Sequence, residues 1–185
     1  MSDPSQQPAM VVVMGVSGCG KSSTGRLLAE RLGVPFLEAD TLHSAPNRAK
    51  MAAGRPLTEE DRGPWLAAVS QWIAQATASQ TGGVVACSAL RYRYRQMFRR
   101  AGARVWLLHL ALDETAARQR VARRTEHFMP AALVDSQYAE LEPLRPDEPG
   151  LTVDAENSRQ AIVDRAAAAL HAIGWAGKSA LDGLR

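Results

Sequence analysis

Cysteine is nearly absent from this chain: Cys19 and Cys87 are the two that occur in 185 residues. One of them lies inside a glycine-rich loop, so a disulfide framework is excluded as the basis of the fold, and a reducing, cytoplasmic setting is expected. Long apolar runs are also missing. None approaches the roughly 20 residues that a membrane-spanning helix needs, so no membrane partner is expected. The first nine residues, MSDPSQQPA, lack the charged and apolar regions of a signal peptide and read as a short disordered tail. No internal repeat, low-complexity segment or GTPase-type N-K-x-D motif is found.

What remains is an ordinary soluble composition, 46% apolar and 22% charged, of a length that fits one domain. The net charge of +3 raises the question of nucleic acid, because Arg91, Arg93, Arg95, Arg99 and Arg100 cluster with Tyr92 and Tyr94. Such a run on a helix is more often a solvated face or a site for a small anion, so no nucleic-acid partner is expected.

The positive signal is Gly15-Val16-Ser17-Gly18-Cys19-Gly20-Lys21-Ser22, which reads G-x-x-x-x-G-K-S between an apolar run and a helix-like segment. A strand, a glycine loop and a helix start make a phosphate-binding P-loop. Its amides and helix dipole face the phosphates, and Lys21 adds a point charge for the β- and γ-phosphates. The Ser22 hydroxyl can join the shell of a Mg²⁺ ion. These features imply a site for a nucleoside triphosphate. Cys19, near the helix start, is either a thiol of lowered pKa or simply a small residue tolerated in the loop.

Strand and helix patterns alternate along the rest of the chain. Strands are expected at 11–14, 35–39, 84–87, 104–110 and 151–154. Helices are expected at 21–32, 65–78, 92–101, 131–142 and 158–173, with a short helix and loop in 41–62 and a further helix capped by Asp113. This predicts an α/β fold with a parallel sheet covered on both faces and ligands at the carboxyl ends of its strands. The domain would span 10–173, and the segment from Gly174 onward is expected to fray.

A P-loop alone does not separate kinases from other nucleotide-binding proteins. The third strand ends in Cys87-Ser88 with no acidic Walker-B residue at its tip. That shifts the acidic role towards Asp40, which follows a strand at the same rim. Asp40 can accept a proton from an attacking hydroxyl, help hold Mg²⁺ through water, or merely cap the next helix.

Four spaced blocks make the reading specific. They are the loop from Met14 to Ser22; Ala39-Asp40 with Leu42-His43, Asn47, Lys50-Met51, Gly54, Pro56-Leu57, Asp61-Arg62 and Pro64-Trp65-Leu66; Cys87-Ser88-Ala89-Leu90 with Tyr94-Arg95; and Arg120, Arg124, His127 to Pro130, Ser136-Gln137 and Leu141-Glu142. Together they resemble the gluconokinases of the P-loop kinase superfamily over residues 10 to 170. The resemblance implies a nucleoside-kinase-like fold with five parallel strands in the order 2-3-1-4-5 and a lid at about 120–132. It also implies ATP and Mg²⁺, phosphorylation of D-gluconate at its 6-hydroxyl, and a homodimer.

Carried over residue by residue, the resemblance places ATP against Gly15, Val16, Ser17, Gly18, Cys19, Gly20, Lys21, Ser22 and Ser23, with Arg120 and Arg124 reaching in from the lid. Asp40, His43, Lys50, Arg55, Arg62, Arg91 and His127 would line the sugar-acid pocket, where a carboxylate wants a guanidinium or an ammonium. Lys21 and Asp40 are the expected catalytic pair, and Ser22 the metal ligand. The chain departs from the family pattern at Glu38, Ser44 and Arg91. Within the enzyme class, shikimate-kinase and nucleotide-kinase relatives would share the P-loop and lid, but the second and third blocks favour gluconokinase.

Overall fold

The computed structural model describes residues 10–102, 104–123 and 132–175. Five strands form one sheet: β1 (Met10–Met14), β2 (Phe36–Glu38), β3 (Gly83–Ala86), β4 (Val105–Ala111) and β5 (Gly150–Asp154). They lie in the order β2-β3-β1-β4-β5, every pairing parallel. This is the topology expected from the sequence. Central β1, Met-Val-Val-Val-Met, is buried throughout because both faces of the sheet are covered.

Alternation along β1 builds two half-cores. Val11 and Val13 turn to one side, where Leu28 and Leu32 of α1 (Lys21–Leu32) and Ile162, Val163, Ala166 and Leu170 of α7 (Arg159–Ala172) pack. Met10, Val12 and Met14 turn to the other. There they meet Trp65, Leu66, Val69 and Ile73 of α3 (Glu59–Ala78) and Phe98 of α4 (Tyr92–Ala101). The remaining helices are α2 (Ala45–Ala52), α5 (Glu114–Ala122) and α6 (Ala132–Glu140). No helix among the described residues is long and apolar enough to cross a membrane.

The structure adds detail to three local expectations, and one of them needs correction. Helix α3 begins at Glu59 rather than Trp65, because Thr58 and Asp61 form a reciprocal capping box and Glu59, Glu60 and Asp61 complement the dipole. Pro64 then removes only one backbone donor, one turn inside a well-capped start. Asp40 follows β2 as expected, and it does so within a 3-10 turn, Ala39–Leu42, held by the buried Trp65 indole donating to the Ala39 carbonyl at 2.8 Å. Of the segment 174–185 expected to fray, Gly174 and Trp175 are described and 176–185 lie outside the described residues. Trp175 is buried, and its N–H donates to the Leu170 carbonyl at 3.0 Å, so a large ring still seals that half-core.

Candidate active site

The P-loop leaves β1 with glycines where only glycine serves. Gly15 has φ 142°, and a Cβ there would meet the Leu110 carbonyl oxygen at 2.8 Å and Cys19 Sγ at 2.7 Å. Gly20, φ 96°, starts α1 in a left-handed conformation. Lys21 Nζ donates to the Val16 carbonyl at 3.1 Å, folding back over the loop, and Ser23 Oγ reaches the Gly20 carbonyl at 3.5 Å. Cys19 is 3% exposed, which favours the small-packing-residue reading over a reactive thiol. Arg120 of α5 reaches the loop from the other side, with Nη1 3.5 Å from the Gly18 carbonyl and 3.4 Å from that of Ala155. Arg124 and His127 lie outside the described residues.

Beside the loop sits a cavity of about 60 Å³ lined by Asp40, His43, Arg62, Trp65, Ser88, Tyr94, Gln137 and Glu140, with apolar walls from Met51, Leu57, Leu90 and Leu133. The His43 imidazole stacks on Trp65, ring centres 4.4 Å apart, with its Nε2 4.0 Å from Asp40 Oδ1. Burial first, and then the positive charges of Arg48 and Arg62, hold His43 below its ordinary pKa against the opposing pull of Asp40. Among the described residues its buried Nδ1 has no hydrogen-bond partner. An unpaired buried imidazole nitrogen is costly unless something else completes it. At this wall, a substrate hydroxyl would do so.

The expected cationic residues divide. Arg62 enters the cavity, donating to Tyr94 Oη and to Glu140 Oε1, both at 3.0 Å. Arg91 stands behind it, 3.3 Å from Glu140 and 3.4 Å from Glu59. Lys50 is not in the lining. It donates to Asp61 at 2.5 Å, and that hydrogen bond, with one from the Thr58 amide, holds the Asp61 carboxyl down at about 2. Arg55 is exposed and also outside the lining. The basic run is largely absorbed by carboxylates: Arg93 pairs with Glu59, Arg99 with Asp147, and Arg95 with Glu148.

The Mg²⁺ that a P-loop implies can be tested against the oxygen donors present. Burial raises the Glu38 pKa, opposed by a hydrogen bond from the Ser22 hydroxyl, while nearby Asp40 raises it further. Two crowded carboxylates and a hydroxyl, one carboxylate reluctant to ionise, form a hard-oxygen set that a divalent cation would neutralise. The residues fit the ion. Glu38, one of the positions where the chain departs from the family pattern, is thus among the oxygens that would hold the ion with Ser22. Gln137 stands in the fourth sequence block without a role and Glu140 is not singled out there at all, because a polar helical residue carries no local mark of the cleft it faces.

A P-loop and an oxygen-lined acceptor cavity on one rim of a 2-3-1-4-5 parallel sheet define a P-loop kinase of a small molecule. A family model described as shikimate kinase matches residues 17–170. The chain is 40% identical over 158 residues to a gluconokinase of Gluconobacter oxydans, covering 85% of this chain and 89% of that one. Among solved structures, a gluconokinase from Sinorhizobium meliloti is 38% identical with a TM-score of 0.79, covering 96% of this chain and 98% of that one. A sugar kinase from Janibacter sp. is 39% identical with a TM-score of 0.85, covering 90% and 98%. The chain thus belongs to the shikimate-kinase family of P-loop proteins and, within it, to the gluconokinases.

Proposed function

We propose that this protein transfers the γ-phosphoryl group of ATP to the 6-hydroxyl of D-gluconate in the cytoplasm, giving 6-phospho-D-gluconate and ADP. The observation that carries the reading is the shared cavity. Asp40, neutral His43 and Arg62 line one small space beside the P-loop, as a polyhydroxy acid requires. The similarity to gluconokinases selects this acceptor over shikimate.

Phosphoryl transfer asks the protein for position and charge rather than covalent chemistry. Lys21 and the loop amides hold the donor phosphates, with Arg120 beside the loop. Ser22 and Glu38, with Asp40 through water, would hold Mg²⁺, which neutralises phosphate charge when bound. Arg62, backed by Arg91, takes the acceptor's carboxylate, and His43 takes a hydroxyl. The 6-oxygen bonds to the γ-phosphorus as the bond from phosphorus to the β–γ bridging oxygen breaks. The hydroxyl proton passes to Asp40 and then to solvent.

The test is ADP release from Mg-ATP with D-gluconate, run beside shikimate, other sugar acids and a no-acceptor blank. Turnover with gluconate and little with the others is expected; shikimate-dependent turnover alone would overturn the acceptor assignment. Asp40→Asn should lower kcat by about 100-fold or more, with ATP affinity kept, as loss of a general base does. Collapse of ATP binding with little effect on bound-state chemistry would make Asp40 a metal residue instead.

A further inference from the structure

Helix α6 lines the cavity and reaches both the P-loop and the Arg62–Arg91 pair with side chains three residues apart on one face. At its donor end, Gln137 Oε1 accepts the Ser17 amide N–H at 2.7 Å. That amide belongs to the loop whose N–H groups serve phosphate oxygens. At its acceptor end, Glu140 holds the guanidinium pair. Arg62 Nη2 is 3.0 Å from each of its carboxylate oxygens, and Arg91 Nη2 lies 3.3 Å from Oε1. Glu140 is well shielded, its side chain 17% exposed. Both residues line the same cavity of about 60 Å³.

We propose that Gln137 and Glu140 are positioning residues that stand in for the two substrates and couple their binding. A neutral oxygen acceptor sits where a phosphoryl oxygen belongs, and a carboxylate sits where the acceptor's carboxylate belongs. Each substrate displaces its stand-in. Because both stand-ins ride on one turn of one helix, releasing either end loosens the other, and the second substrate then meets a site already vacated. The Tyr138 hydroxyl donates to the Leu112 carbonyl at 2.6 Å, giving the helix a fixed point from which to pivot. The arginines retain their charge throughout, so selection for an acid follows from exchanging one carboxylate for another. The acceptor half of this proposal rests on the gluconate reading; the donor half rests on the P-loop alone.

Coupling between two ligands is reciprocal and is measured as the change in one affinity caused by the other. Calorimetry of wild type, Gln137→Ala and Glu140→Gln would use the β,γ-imido analogue of Mg-ATP and D-gluconate, separately and together. In wild type each ligand should tighten the other by about five-fold or more, the lower range for coupled sites. In both variants the factor should fall towards one, with nucleotide binding retained. Glu140→Gln keeps the size and hydrogen bonding of the side chain, so it should also tighten gluconate binding in the absence of nucleotide by freeing Arg62. A merely structural Glu140 would weaken it. A coupling factor unchanged in both variants overturns the proposal, as does a wild type that binds both ligands with no coupling.

Hydrogen exchange decides the donor half independently of gluconate. The nucleotide analogue alone should lower protection of the α6 amides in wild type, with no such change in Gln137→Ala. If wild type failed to bind gluconate but showed that loss of protection, the acceptor assignment would fall and the donor half would stand. Unchanged protection on nucleotide binding would overturn the proposal whatever the acceptor.

Discussion

Arg95 illustrates how single residues decide this structure. Its guanidinium is fully buried and every face is occupied. Nε and Nη2 donate to Glu148 at 2.7 and 2.8 Å, and the remaining donors reach the carbonyls of Ala89, Leu90, Glu142 and Pro143. These bonds clamp the loop after β3, where Ala89 holds φ 44°, against the segment leading to β5. The loop carries Ser88 and Leu90 into the cavity wall, so the clamp shapes the acceptor site from behind. Arg95→Met leaves Glu148 buried without its partner, a change that costs about 3–5 kcal/mol. Urea unfolding should register that loss; a shift below about 1 kcal/mol would mean that the loop holds itself. Sequence alone placed Arg95 in a basic run with its neighbours. Burial separates it from Arg93, which lies half exposed beside Glu59.

At the scale of elements, the start of α3 matters most. Arg62 enters the cavity because the helix begins early enough to include it, and the Thr58–Asp61 capping box fixes that beginning. Asp61 then also holds Lys50 of α2, tying the two helices together beneath the pocket. Thr58→Ala removes the cap and should cost about 1 kcal/mol. For a domain of this size that is a Tm lower by about 2–4 °C. Differential scanning calorimetry would read it, and an unchanged Tm would mean that the cap contributes nothing. Sequence patterning places the start of this helix at Trp65, six residues late. Local propensity at Gly63-Pro64 counts against a helix that tertiary packing of Trp65, Leu66 and Val69 sustains.

Across the whole molecule, two buried histidines set an acid limit. Burial lowers the pKa of His43, and burial followed by the charge of Arg95 lowers that of His109, both from 6.5. Unfolded chains then bind more protons than folded ones at pH values between each lowered pKa and 6.5. Stability therefore falls as pH drops below 6.5 and levels off beneath the folded values. Urea midpoints taken from pH 7.5 downward should decline through that window, and His109→Asn should reduce the slope. A flat profile would mean that the imidazoles titrate freely in the folded state.

Much of this architecture was legible along the chain. A β-branched run, a glycine loop and a capped helix are local patterns, so the P-loop, the limits of α1 and α4, and the parallel alternation could be read directly. The spaced blocks similarly placed Asp40, His43 and Arg62 in one pocket. Partnership was not legible. Lys50, Arg55, Arg62 and Arg91 are all cations in one stretch of blocks, yet Lys50 is taken by Asp61, Arg55 faces solvent, and Arg62 and Arg91 share Glu140 from a helix far along the chain. Sequence by itself determined which chemical groups this protein carries and the local backbone that presents them, because those depend on neighbours a few residues away. Only the tertiary structure decided which charges meet, because Coulomb attraction and burial act through space and α6 reaches the site through contacts with residues far away along the chain.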